Sequence, residues 1–456
     1  MDTVRINEKD NVGVSLETGH KIALCDIEKG ADVIKYGYPI GYATESIKEG
    51  DSVHSHNMKT KLGDILSYEY SPYSGYLSPE EPFYINAYVR ENGDIGIRND
   101  IWIIPTVGCV NSIAKELSEK TGAICFPHPY GCSQLGDDMK ITQLILRGLI
   151  NHPNAGGVLV LGLGCENNNI AEMKKVMGSW NEKRISFLSV QDCEDEIEEG
   201  TAIIELLKKR ASEDERERVP ASRLKIGLKC GGSDGFSGIT ANAVVGKVTD
   251  IICAMGGTAV LTEVPEMFGA ETVLFERCVS EEVFGKSVNL INSFKQYFKN
   301  HGQPVSENPS PGNKQGGITT LEEKSLGCVQ KGGTASVVDV LDYGDTAVKP
   351  GLNLLNGPGN DIVSVTNLSA AGCHMVLFTT GRGTPLGGAV PTVKIASNDM
   401  IAERKAHWID FSAYGDRKKK ADELLELIKD VADGKLTKNE ILGNREIAIF
   451  KDGVTL

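Results

Sequence analysis

The stretch GVLVLGLGCENNNIAEMKKVM, Gly157–Met177, joins an apolar run of strand length to a turn holding Gly162, Gly164, Cys165 and Glu166, then to apolar residues at helical spacing. Strand, glycine turn and helix in that order are the repeating unit of a parallel α/β sheet. The same grammar spreads to both sides. Upstream, Ile101–Val107 leads to a helix near Asn111–Lys120, and Ala123–Phe126 to a helix near Asp138–Leu149. Downstream, Ile185–Val190 closes the set before the charged helix Asp195–Lys209.

The charged run ASEDERERVPAS, Ala211–Ser222, ends in proline and reads as a linker. The strand and helix alternation then restarts with a strand at Leu224–Lys229, a helix at Ala241–Met255, a strand at Thr258–Val264 and a helix at Glu281–Phe298. Further strands are expected near Leu352–Leu355, Met375–Thr379 and Val393–Ala396, with a surface helix at Lys418–Asp433. Residues 1–60 differ: short β segments are punctuated by Gly19, Gly30, Gly37 and Gly50. Residues 61–82, rich in Tyr, Ser and Pro, show neither period and read as another linker. The expected fold class is therefore α/β, with a small β-rich module (1–60) before two α/β domains (83–210 and 223–456) whose sheets are largely parallel.

Composition narrows the function. A net charge of −14 argues against nucleic-acid or anionic-membrane surfaces, which need clustered Lys and Arg. No apolar run reaches bilayer length, and MDTVRINEKD lacks the basic-then-apolar layout of a secretory signal, so the cytoplasm is the expected address. The eleven cysteines contain no CxxC pair, which disfavours a disulfide framework or a zinc ribbon. A small anion remains an acceptable substrate.

Chemistry gathers where strands end. TVGC109, YGC132 and GLGC165 each follow an apolar run, and KC230GG follows a fourth. Ligands of open α/β sheets bind beyond the carboxyl ends of the strands, so these turns are expected to converge on one crevice. Each Gly-Cys can equally be a small buried corner. Glu166 stands directly after a strand, where a core does not easily satisfy a carboxylate. The loop Lys229–Asn242 packs four glycines with Ser233, Asp234, Ser237, Thr240 and Asn242, suited to an anion or to the hydroxyls of a polyol. NPSPGNKQGG, Asn308–Gly317, carries Asn313 and aims Lys314, or is only a rigid turn. GPGND361 and TTGR382G complete the set; Arg382 can fork onto a carboxylate or be an exposed structural arginine. Two of the eight histidines, His54 and His56 in VHSHN, would share one face of a strand and need a carboxylate to complete a facial metal set.

These motifs together resemble the altronate and galactarate dehydratase family of sugar-acid dehydratases over nearly the whole chain. The resemblance rests on VHSHN, GIRN (Gly96–Asn99), YGC132, GVLVLGLGCE, LKCGGSDGFSGITAN (Leu228–Asn242), GGTAVLTEVPEMFGAE (Gly256–Glu271), NPSPGNKQGGITTLEEKSLG (Asn308–Gly327), PGNDIVSVT and FTTGRGT (Phe378–Thr384). It implies an N-terminal β-clip module of the SAF type, a divalent metal (iron first, manganese second), and loss of water from altronate to give 2-dehydro-3-deoxy-D-gluconate in hexuronate breakdown. The rival readings are a galactarate dehydratase, a sulfolactate sulfo-lyase, or a non-catalytic sugar-acid binding protein. A homo-oligomer is expected. On this reading His54, His56 and Glu166 hold the metal, Asp234, Arg382 and Lys314 serve catalysis, and Ser233, Asn242, Asn313 and Asp361 bind substrate. Cys132 and Cys165 are ligands or turn residues. Two departures stand out: Gly387-Gly388 replaces the family's common Gly-Cys, and DFSAYG (Asp410–Gly415) loosens its usual acidic ending.

Overall fold

The computed structural model describes residues 3–63 and 67–456. The N-terminal module is built from two small antiparallel sheets. One orders Thr3–Val4, Val12–Ser15, Lys21–Ala23 and Ser52–Val53; the other orders Asp32–Lys35, Tyr38–Ala43 and Met58–Lys59. Val12, Val33, Ile40, Ala43 and Val53 fill the space between them at 1% exposure or less.

The second domain carries four parallel strands in the order Ile124–Cys125, Asp100–Pro105, Ala155–Gly162, Ile185–Ser189. Every residue of Ala155–Gly162 is buried, as a strand covered by helices on both faces requires. The helix Ile170–Met177 starts where Asn169 caps it by accepting from Glu172 N at 3.1 Å, and stops at Gly178, whose φ of 70° suits glycine.

The C-terminal domain holds seven strands, in the order Val337–Leu341, Gly351–Leu355, Thr258–Leu261, Lys225–Cys230, Met375–Thr380, Thr392–Ala396, Phe411–Ser412, all pairs parallel. The chain leaves Lys225–Cys230 toward one side of the sheet and later returns on the other at Met375–Thr380. The order reverses between these two strands, so a crevice opens between the loops after Cys230 and Thr380.

Both linker readings change. Within Ala211–Ser222, Arg216–Pro220 is a strand antiparallel to Tyr84–Val89. Its charges are compatible with an edge strand, where Arg216 stacks on Tyr88 and Arg218 on Tyr84. Residues 67–82 have no regular structure yet lie on the C-terminal domain, with Tyr68 edge-on to Phe275 at 4.8 Å and Tyr70 beside Phe284 at 5.5 Å. Asp64, Ile65 and Leu66 of the expected linker fall outside the described residues.

Candidate active site

The N-terminal module docks on the carboxyl edge of the C-terminal sheet through buried charge. Lys21 Nζ, fully buried, donates to Gly317 O (2.9 Å), Thr319 Oγ1 (2.8 Å) and Glu323 Oε2 (2.8 Å). Lys35 Nζ takes the other oxygen of Glu323 at 2.9 Å. Burial pulls the Lys21 amine down to about 8 against the pull of Glu323, while the two lysines hold the Glu323 carboxyl low despite its burial. Backbones meet as closely: a Cβ on Gly235 would sit 1.9 Å from Gly19 O, so only glycine fits.

Behind this contact lies a second buried network. Lys229, on the central strand, pairs with Glu263 and with Asp361 Oδ1 at 2.8 Å. Glu263 adopts a φ of 72°, a left-handed conformation unusual for a glutamate, and also accepts from Cys230 N at 3.2 Å. Cys230 Sγ lies 3.3 Å from Cys328 Sγ, 3.0 Å from Glu266 Oε2 and 2.8 Å from Lys331 Nζ. Lys324 holds the remaining oxygen of Glu266 at 2.9 Å. The contact with Cys328, supported by Lys331, brings the Cys230 thiol down to about 7, whereas Cys328 is pushed well up. Burial and the neighbouring Glu266 push the Glu263 carboxyl well up.

The expected site residues distribute as follows. His54 and His56 are not on a strand: residues 54–57 form the turn between Ser52–Val53 and Met58–Lys59. The cause is Asn57, whose Oδ1 accepts from His54 N at 3.0 Å while its Nδ2 donates to Ser52 O at 2.9 Å. His54 is half-buried, with Nε2 at 3.0 Å from Lys314 O and its ring 5.7 Å from that of His20; His56 is exposed. Glu166 is not left over by the core. Its Oε1 accepts from Thr106 Oγ1 (2.7 Å) and Leu163 N (3.0 Å), and its Oε2 from Gly164 N (2.6 Å). These donors hold the carboxyl below its usual range in spite of burial.

Asp234 is likewise spent within the protein, accepting from Ser237, Ser397 and Asn398 at 2.8–3.0 Å and so pinning the glycine-rich loop. Asn242 donates to Gly327 O at 2.9 Å and accepts from Thr379 at 2.6 Å, and Asn313 accepts from Ser310 N at 3.1 Å in the capping box of its short helix and donates to Ser233 O at 2.8 Å. Arg382 and Lys314 are exposed; Arg382 reaches Gly312 O at 2.8 Å and Gln315 Oε1 at 3.2 Å. Asp361 keeps 40% of its side chain exposed above Lys229. The loops carrying Ser233, Asp234, Asn313, Lys314 and Arg382 do meet at the crevice under His54. The three Gly-Cys turns and the Cys230 loop follow strands of different sheets, Cys109, Cys132 and Cys165 in the second domain and Cys230 in the other.

A divalent metal needs donors that meet. Among the described residues, the one group of three His, Cys, Asp or Glu ligand atoms within 4.8 Å of one another is Cys230, Glu266 and Cys328. His54, His56 and Glu166 form no such group, so in this structure they do not fit a shared ion. In the thiol group, Lys331 and Lys324 already neutralise Cys230 and Glu266. That arrangement is an ion-pair network in its own right. Sequence reading missed Glu263, Glu266, Glu323, Lys324 and Lys331; the available signal was charge inside otherwise apolar strands and helices, as in Leu321–Cys328, buried throughout.

Three family models match the chain in order: the SAF domain of altronate/galactarate dehydratases at residues 15–61, the second domain of D-galactarate dehydratase/altronate hydrolase at 87–212, and the C-terminal domain of D-galactarate/altronate dehydratase at 221–455. The chain belongs to the altronate/galactarate dehydratase family. Within that family it is 51% identical to the altronate dehydratase of Bacillus subtilis (strain 168), over 99% of each chain. It is 52% identical to that of Escherichia coli (strain K12), over 98% of this chain and 94% of the relative. Identity to the galactarate dehydratase (L-threo-forming) of Escherichia coli (strain K12) is 32%, over 87% of this chain and 80% of the relative. At the Gly387-Gly388 departure no side chain fits: a Cβ would lie 2.0 Å from Asn444 O at the first position and 2.2 Å from Val365 Cγ1 at the second.

Proposed function

We propose that this chain is a hydro-lyase that removes water from D-altronate to give 2-dehydro-3-deoxy-D-gluconate. The observation that carries the reading is about 51% identity to two altronate dehydratases along nearly the full chain, all three domains included. The reaction takes a weakly acidic proton from C2, beside the carboxylate, and expels hydroxide from C3. The enol so formed becomes the 2-keto product.

The crevice supplies matching groups. Lys314 and Arg382 are exposed cations at its rim, suited to the substrate carboxylate, with His54 between module and loop. Asp361 is the member of the Lys229 network that reaches solvent, so its carboxylate is placed to accept a proton from a ligand in the crevice while Lys229 holds it in position. The divalent iron or manganese that the resemblance implies would polarise the departing hydroxyl when bound. His54, His56 and Glu166 do not gather around one such ion. No helix of the described residues is long and apolar enough to cross a membrane. A cytoplasmic homo-oligomer is the expected setting.

The test is a substrate panel of altronate, galactarate and sulfolactate with detection of the 2-keto product. Altronate should turn over at least tenfold faster than galactarate. Absence of keto product from altronate, with product from either other acid, would replace this reading, and tight altronate binding without product would make the chain a sensor.

A further inference from the structure

At the amino edge of the second domain's sheet, away from the crevice, lies a cavity of about 710 Å³. It opens where the strands Ala155–Gly162 and Ile185–Ser189 begin, and Arg90, His152, Ser179, Trp180 and Arg184 form its wall. Ile150, Val158 and Ile185 give it an apolar back.

Arg184 is the group without a partner of its own charge class. It is half-buried, and its Nε donates to Gly156 O at 3.2 Å. Among the described residues it forms no ion pair, and its two Nη groups bond to nothing. Burial and the neighbouring Arg90 pull the guanidinium down to about 10. Its neighbours are answered: Arg90 donates to Asp214 at 2.7 Å and Lys183 to Glu91 at 3.0 Å. Arg277, which also forms no ion pair, spends its Nε and Nη1 on four backbone carbonyls. A guanidinium held out of water with neither kind of partner costs stability, and an anion entering the cavity recovers that cost.

The charge count limits the anion. With Arg90 and Lys183 already paired, one cation is left over, and the exposed Glu182 stands on the rim. One unpaired guanidinium matches one carboxylate, in the fork geometry that arginine favours. A polyphosphate would meet Glu91 and Glu182 with too few cations. His152 adds no charge: its Nε2 lies 3.2 Å from Cys373 O, its Nδ1 accepts from Asn154 N at 3.0 Å, and burial brings its imidazole down to about 3. The rest of the wall suits a hydroxylated chain. Trp180 offers an indole held edge-on by Phe187 at 5.4 Å, and Ser179, Asn151 and Glu182 offer hydrogen-bonding groups.

We propose that this cavity binds a polyhydroxy monocarboxylate of the aldonic type, with Arg184 forking onto the carboxylate and Trp180 against the carbon chain. The site is separate from the crevice, whose cations Lys314 and Arg382 belong to loops of the other sheet, and its occupancy does not depend on the hydro-lyase activity.

The test is calorimetric titration of the full chain with gluconate, joined to hydrogen–deuterium exchange that locates the bound acid. Gluconate should slow exchange in residues 150–158 and 179–185, and sorbitol, the uncharged polyol, should not. This comparison uses wild-type protein and needs no variant. Arg184→Gln should weaken the binding by about tenfold or more with unchanged thermal melting, and Arg184→Lys, which keeps the charge and loses the fork, should weaken it less. Arg382→Ala should leave it within about twofold. No protection at residues 179–185, equal protection by sorbitol, or wild-type affinity in Arg184→Gln overturns the proposal. Protection confined to residues 308–317 and 380–384 puts the acid in the crevice and overturns it too. Tighter binding of benzoate or of a nucleoside triphosphate replaces the ligand class. Gluconate held at Arg184 by a chain that turns over no sugar acid leaves this site standing and removes the hydro-lyase reading.

Discussion

The two parallel sheets end in opposite kinds of chemistry. At the carboxyl edge of the C-terminal sheet, Lys229, Glu263, Glu266, Lys324 and Lys331 are buried and paired with one another, and its two thiols sit among them. At the corresponding edge of the second domain's sheet Cys109, Cys132 and Cys165 are exposed, and the buried carboxylate Glu166 accepts from a hydroxyl and two backbone amides. Similar strand and glycine-turn sequences thus build a rigid ionic floor in one place and leave exposed thiols in the other. What differs is whether an opposite charge from another element arrives to close the site.

The largest effect should come from removing a charge on which the floor depends. Glu323 is the shared carboxylate of Lys21 and Lys35, with all three side chains at 2% exposure or less. Glu323→Gln leaves two ammonium groups in a space built for a pair, at a cost of about 3–5 kcal/mol. Urea denaturation should show that loss, and limited proteolysis should find the N-terminal module detached from the crevice. A change below about 1 kcal/mol would mean that the backbone contacts at Gly19 and Gly235, not the ion pairs, hold the module. Cys165→Ser is the contrasting case, expected within about 0.5 kcal/mol because its side chain is exposed.

That contrast also separates what the sequence told from what it hid. The strand and helix alternation of Gly157–Met177 was legible because burial on two faces demands an unbroken apolar run and glycine marks the turn. The strand Arg216–Pro220 was not, since its residues pair at a sheet edge and their charges mimic a linker. VHSHN was misread for a local reason: Asn57 folds it into a turn, which cancels the strand periodicity that would have put both imidazoles on one face. The loops around Asp234, Asn313 and Arg382 were found because glycine and proline advertise them. Their partners Glu263, Glu266 and Lys331 come from separate elements, and a long-range ion pair leaves no spacing signature along the chain.

An intermediate effect is expected where the ionic floor is imperfect. Lys394 is fully buried, its Nζ has no hydrogen-bond partner, and it lies 3.7 Å over the Phe378 ring. Burial, with repulsion from Lys229 and against Asp361, brings its amine down to about 7. A lysine lowered in the folded state binds fewer protons there than when unfolded, so its burial costs most below pH 7 and the cost fades as pH rises toward 10.5. Lys394→Met should therefore stabilise the protein by on the order of 2–4 kcal/mol at pH 6, with the gain shrinking toward zero by pH 10. Denaturation midpoints across that range check the slope. A pH-independent gain would show that packing, not charge, is what Lys394 disturbs.

The smallest effects should separate the two histidines that sequence alone had joined. His54 bonds Lys314 O at 3.0 Å and packs beside His20, so His54→Ala should cost about 0.5–1.5 kcal/mol and loosen the loop that carries Lys314. His56 is exposed, and His56→Ala should change stability by less than about 0.5 kcal/mol. His54→Ala should raise KM more than it lowers kcat, because the rim cations are displaced while the leaving-group chemistry is intact. Loss of turnover in both variants with folding intact would place both imidazoles in the chemistry itself.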